Sequence, residues 1–397
     1  MTGTTLSTSV FDVEHARARF SSLRHNDFAF FDAPGGSQVP DEVGEAVAGV
    51  LRDSSANLGA FYAASERVAD LVVAAREGAA RFMGGDPENI IFGPNMTSLN
   101  FMLTRTAARN FSAGDEIVVT RLDHDANVAP WRELAHDLGL VVRVADVTSD
   151  LRIDMAHLTS LLNERTKVVA FPWASNAVGT VSDAEEICRL AHEVGAITWV
   201  DAVHYAAHRT MDARAIGADV LLCSPYKFCG PHLGMAHVEP AVADSWRPYK
   251  VQPRGLDPLG ARFETGTASY ELLGGLLATF SYLDSLGGLD VLGAYEDELA
   301  RYLLDTLPTE VRVYGPALQF RVPTFLISID GVEAESIARS LAAQNVGVWH
   351  HDHWYAVNLL ERLPHKGDTV RIGLLHYNSV EDVDRLTQAL ADIIGRR

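Results

Sequence analysis

Between residues 89 and 223 the chain alternates short apolar runs with longer amphipathic stretches, and this alternation constrains the fold more than any other feature. The runs at 89–92, 115–120, 141–144, 167–173, 196–200 and 220–223 have the length of strands. Several are continuously apolar, the pattern of a strand covered on both faces. Strand, helix, strand, helix in succession predicts an α/β fold with a largely parallel sheet under helices. Ligand sites in such sheets lie beyond the carboxyl ends of the strands. Asn95, His124, Asn176, Asp201 and Lys227 all stand at such ends, and their joint placement says more than any one of them.

Lys227 has the most unusual surroundings. The run Val220–Cys223 stops at Ser224-Pro225, and Tyr226, Lys227 and Phe228 follow. A lysine between two aromatics at the end of a buried strand is desolvated, which lowers its pKa and favours a neutral, nucleophilic amine. Such an amine forms a Schiff base with a carbonyl cofactor. A solvated lysine on a turn is the ordinary alternative, and the residues at the other strand ends weigh against it. Gly93-Pro94-Asn95-Met96-Thr97-Ser98 turns from a strand into an apolar helix. That turn offers an anion site through backbone N–H groups and the helix dipole, or simply a cap by Asn95 or Thr97. His124, near the end of the run at 115–120, can stack on a flat ring or serve as a satisfied loop histidine.

Composition narrows the classes. A chain of 397 residues, 47% hydrophobic and 21% charged, supports a large core and two domains. The net charge of −19 disfavours nucleic acid and an anionic membrane surface as partners. The first residues carry neither a basic nor an apolar leader region, and no apolar run has the length of a membrane span, so the expected compartment is the cytoplasm. Cys188, Cys223 and Cys229 are too few for a disulfide framework or a zinc site.

Elsewhere the pattern predicts a first helix over 12–23 capped by Asp12, helices at 41–52 and from about 65 to 83, and a long apolar helix over 269–286. From about residue 289 the texture changes to a smaller α/β unit. The expected division is a large domain at 15–288 and a small one at 289–397, with residues 1–14 packing on the latter. His350-His351-Asp352-His353 has metal-binding residue types but no helical or alternating spacing, so it reads as a loop. Arg371 lies in a further strand. Ser379 and Asp382 form a capping-box start for the final helix.

A lysine, an acid, an aromatic ring, a phosphate cup and an arginine together meet the needs of pyridoxal 5′-phosphate (PLP). The sequence also resembles the class V aminotransferases, in their cysteine desulfurase and selenocysteine lyase branch, from Ala29 to about Ile394. The stretches LDHDANVAPW, ASNAVGT, VDAVH, SPYKFCG, RFETGT and VRIGLLHYNSVEDVDRL carry the resemblance. It implies a fold type I PLP enzyme with a seven-stranded, mostly parallel sheet. It also implies that Lys227 holds the cofactor and shuttles protons, that Asp201 pairs with the pyridine nitrogen and that His124 stacks over the ring. Asn176 would lie near the phenolic oxygen and the substrate carboxylate, which Arg371 would bind. Ser224, Tyr226 and the turn at Asn95, Met96 and Thr97 would take the phosphate. Thr267 would reach the phosphate of a neighbouring subunit, which implies a homodimer with a shared site and an amino-acid substrate.

Three departures matter. His204 stands where the desulfurases have glutamine, and Tyr226 where they have histidine; both keep a hydrogen-bonding group for the cofactor. The loop that carries the persulfide cysteine in the desulfurases corresponds to VWHHDHWYA, with Trp354 opposite that cysteine, and no cysteine follows Cys229. The expected chemistry is therefore elimination at Cβ, of the C–S lyase type, with transamination, epimerisation or a non-catalytic cofactor-binding homologue as alternatives.

Overall fold

The computed structural model describes residues 11–251, 258–350, 355–364 and 368–396. Its main element is a seven-stranded sheet. The strand order is Ile90–Gly93, Gly234–Val238, Val220–Cys223, Ile197–Asp201, Thr166–Pro172, Glu116–Thr120 and Val141–Ala145. Every neighbouring pair is parallel except the two made by Gly234–Val238. That antiparallel strand is absent from the sequence reading, because its five residues follow the Lys227 turn with no helix between to mark a new unit.

The inner strands are mostly apolar because both faces are covered. Along Thr166–Pro172, Val169 and Phe171 enter one core cluster while Val168 and Ala170 enter another. Successive side chains point to opposite faces, so one strand feeds both cores. On one face Trp131 and Trp199 meet edge to face at 5.1 Å. The Trp199 indole N–H donates to Asn100 Oδ1 at 2.8 Å, which keeps its polar end satisfied inside the core.

A second, four-stranded sheet runs Trp349–His350, Val370–Gly373, Thr324–Ile329 and Val311–Tyr314, and all its pairs are antiparallel. It has its own apolar cluster, which includes Phe325, Ile327, Ile372 and Leu386. Ala29 and Phe31 join that cluster, and Ala29–Phe30 pairs in parallel with Val346–Gly347. The final helix, Val380–Gly395, starts with the expected capping box: Ser379 accepts from the Asp382 N–H, and Asp382 accepts from the Ser379 N–H.

The expected first helix is broken in two. Asp12 does cap Val13–Arg17, but Ser21–His25 is a separate helix after extended Phe20. Phe20 is fully buried between Tyr282 and Tyr377, and that packing outweighs helical continuity. No single helix among the described residues is long and apolar enough to cross a membrane.

Candidate active site

The carboxyl ends of the parallel strands open on a cavity of about 470 Å³. Asn95, Met96, Thr97, His124, Asn176, Asp201, His204, Ser224, Tyr226 and Lys227 all line it. Register explains the convergence: Pro172 pairs with Asp201 and Asp201 with Leu222, so the chain leaves three strands at one level. Lys227 sits on the short 3-10 turn Pro225–Lys227 and is 9% exposed. Its Nζ lies 4.7 Å from the centre of the Tyr226 ring and donates to the Pro34 carbonyl.

Asp201 is buried, and its Oδ1 accepts from the Val203 N–H at 2.9 Å. Burial raises its pKa to about 6; the Val203 hydrogen bond and the Lys227 charge oppose that rise. His124 caps the helix Asp125–Leu138, its Nδ1 accepting from the Ala126 N–H at 3.0 Å. Burial, and then the charges of Lys227 and Arg371, pull its pKa down to about 3. The ring is therefore neutral at pH 7, with its proton on Nε2. Tyr355 stacks on this ring, with centres 5.2 Å apart and planes 13° apart.

Asn95 caps the helix Met96–Ala107 by accepting from the Ser98 N–H, so the capping alternative holds as well. The Met96 N–H donates to Ser224 Oγ at 3.0 Å, which ties this helix start to the Lys227 turn. Gly234 closes the cradle. A Cβ there would lie 2.4 Å from the Asn95 carbonyl carbon, a contact that no side chain tolerates. The two substituted positions are both engaged: His204 Nε2 meets Thr324 Oγ1 at 2.9 Å, and Tyr226 stacks on His232 at 5.2 Å.

Arg371 is 4% exposed and donates through Nη1 to the Asn176 carbonyl at 2.9 Å, so it stands directly behind a lining residue. Thr267 does not line this cavity; it lines a second one of about 460 Å³, and His232 borders both. Trp354 and the 351–353 stretch lie outside the described residues.

Sequence reading missed Asp32 and Pro34, which face the lysine from the start of the chain. Asp32 is half-buried, its Oδ1 has no hydrogen-bond partner among the described residues, and desolvation raises its pKa against its own backbone N–H and the charges of Arg371 and Lys227. It too ends an apolar run, the signal that picked out the other five. His232, Tyr355 and Thr324 carried no such signal.

A cavity with a buried amine, a buried carboxyl, a neutral imidazole and a helix N-terminus fits PLP, whose aldehyde, pyridine nitrogen, ring and phosphate call for those groups. Comparison with known proteins agrees. The family model for aminotransferase class-V matches residues 29–386. A probable cysteine desulfurase 2 of Mycobacterium leprae is 31% identical, over 99% of this chain and 100% of that one. The apo structure of the cysteine desulfurase from Thermococcus onnurineus NA1 superposes with a TM-score of 0.90 at 24% identity, covering 100% of both chains. A C-DES mutant with glycine covalently linked to its PLP cofactor has a TM-score of 0.82 at 19% identity, over 95% and 99% of the two chains. The fold and the site define a PLP-dependent enzyme of fold type I. The chain belongs to the class-V aminotransferase family and resembles its cysteine desulfurases.

Proposed function

We propose that this enzyme cleaves a C–S bond at Cβ of an amino acid by elimination, without a persulfide step. One observation carries the reading: Cys188, Cys223 and Cys229, the three cysteines of the chain, are all buried. Burial pushes the Cys188 thiol up to about 12 and those of Cys223 and Cys229 higher still. A persulfide mechanism needs an exposed thiolate, and none of these supplies one at neutral pH.

Bound PLP supplies an electron sink for charge developed at the substrate's Cα. In this reading Lys227 holds the cofactor and takes the α-proton. Asp201 keeps the pyridine nitrogen protonated, and His124 faces the ring as a neutral Nε2–H donor. Ser224, Tyr226, Met96, Thr97 and Asn95 hold the phosphate, His204 offers the cofactor a hydrogen-bonding group, Asn176 lies near its phenolic oxygen and the substrate carboxylate, and Arg371 takes that carboxylate as a fork. The electron pair of the Cβ–S bond leaves with sulfur, and solvent water hydrolyses the resulting enamine, through its imine, to a keto acid and ammonia. The cofactor-binding part is read as residues 15–288 and the smaller part as 289–397. The separate four-stranded sheet supports that division, although Ala29 and Phe31 of the larger part enter its core.

Incubation with cysteine, and with a cysteine thioether, is expected to release pyruvate and ammonia in equal amounts and to leave the protein free of persulfide. Stoichiometric persulfide on the protein would overturn the reading. So would transfer of the amino group to a keto acid with no pyruvate or ammonia released, or reprotonation to the opposite enantiomer alone.

The site is further read as shared between two copies, with Thr267 serving the phosphate of its neighbour. The placement of Thr267 in a separate cavity supports this. Mixing inactive Lys227→Ala chains with Thr267→Ala chains is then expected to yield mixed dimers with one unaltered site each. Activity that never exceeds the sum of the two parents would refute a shared site.

A further inference from the structure

Behind the active-site loop lies a further cavity, of about 480 Å³, distinct from the one that Thr267 lines and not used by the proposed reaction. Val181, Tyr205, Arg209, Asp297, Arg301 and Arg321 are among its lining residues. Three arginines against one aspartate leave a local excess of two positive charges, in a chain of net charge −19. The aspartate is already engaged, since Asp297 Oδ1 accepts from Arg209 at 2.6 Å.

Arg321 is the telling residue. It is 4% exposed and lies over the Phe325 ring at 5.2 Å. Its Nε donates to the Pro316 carbonyl at 2.7 Å and its Nη2 to the Tyr314 carbonyl at 3.0 Å. Its Nη1 is buried with no hydrogen-bond partner among the described residues. Among the described residues no carboxylate pairs with this guanidinium, and burial alone pulls its pKa down to about 10. A buried cation without a counter-charge is costly, and proteins keep one where an anion joins it.

We infer that this cavity is a binding site for a small ligand bearing an oxyanion, a phosphate or a carboxylate, held by Arg321 with Arg209 and Arg301 at its mouth. A guanidinium suits such a group, and Tyr205 and Val181 offer an apolar wall. The site borders the catalytic one through the chain itself. Arg321 pairs with Thr180, four residues past Asn176, and Tyr205 follows His204.

The test uses the PLP-loaded enzyme, so that the phosphate cup near Lys227 is filled. Thermal unfolding is followed with rising inorganic phosphate, or with rising succinate, against sodium chloride at matched ionic strength. At least one oxyanion is expected to raise the midpoint saturably by about 2 °C or more. A response to phosphate alone assigns a phosphate ligand, and a response to succinate alone a carboxylate. Arg301 is exposed, so Arg301→Gln leaves the fold intact; it is expected to weaken the apparent affinity about fivefold or more. Arg339→Gln, an exposed arginine that does not line the cavity, is expected to change nothing. Three results would each overturn the site: no saturable rise beyond chloride, an equal rise in Arg301→Gln, or a rise accompanied by loss of the visible cofactor band.

Discussion

Lys227→Ala is expected to abolish covalent retention of the cofactor and to lower turnover by about a thousandfold or more. The substitution removes an amine that is buried at the end of Val220–Cys223, held against the Pro34 carbonyl and the Tyr226 ring. Purified wild-type protein should show a band near the visible edge that borohydride bleaches and fixes to the chain. The alanine variant should release all its cofactor on denaturation after the same treatment. Cofactor still covalently attached to Lys227→Ala after reduction would show that another residue holds it. Cys223 and Cys229 flank the lysine but, with thiols pushed well above their ordinary value, do not replace it as nucleophiles.

Asp201→Asn is expected to act in opposite directions on catalysis and on the stability of the cofactor-free chain. In the proposed reading the variant deprives the pyridine nitrogen of the carboxylate that keeps it protonated, and activity should fall by about a hundredfold or more. Stability follows from linkage. Asp201 in the folded, cofactor-free protein has its pKa raised to about 6, above the ordinary 3.8, chiefly by burial. Below the ordinary value both states are protonated and burial costs nothing. Between there and about pH 6 the folded state binds more protons than the unfolded, so stability falls as pH rises, and above that it levels off. The lost stability is about 3 kcal/mol at neutral pH. Asparagine is never charged and retains an oxygen for the Val203 N–H, so the cofactor-free variant should melt higher than the parent at pH 7.5 and equally at pH 3.5. A lower melting point at pH 7.5 would mean that the carboxylate is held by more than the Val203 hydrogen bond and the Lys227 charge.

What was legible in the sequence was local. Apolar runs of strand length alternating with helices dictate a parallel sheet, because a strand covered on both faces must be apolar on both. A polar residue that interrupts such a run marks the strand's end, and parallel strands have their carboxyl ends at one edge. Those two facts were enough to bring Asn95, His124, Asn176, Asp201 and Lys227 to one cavity. Asn95 as a cap and the Ser379–Asp382 box were equally local, since a cap depends on residues three apart.

What only the tertiary structure decided depends on partners far apart in the chain. Lys227 meets Pro34 across 193 positions and His204 meets Thr324 across 120, and no periodicity encodes such a contact. The antiparallel strand Gly234–Val238 packs Gly234 onto Asn95 and shapes the anion cradle, yet nothing in the sequence marked it as a separate strand. The charge states are tertiary as well. His124 is neutral because the folded chain removes water from it and sets the charges of Lys227 and Arg371 nearby, and Asp201 is reluctant to ionise because burial outweighs the opposing Val203 hydrogen bond and Lys227 charge. Sequence supplied the ionisable groups at the strand ends; desolvation and the Coulomb field of distant segments, which exist only once the chain is folded, set which of them carry a proton.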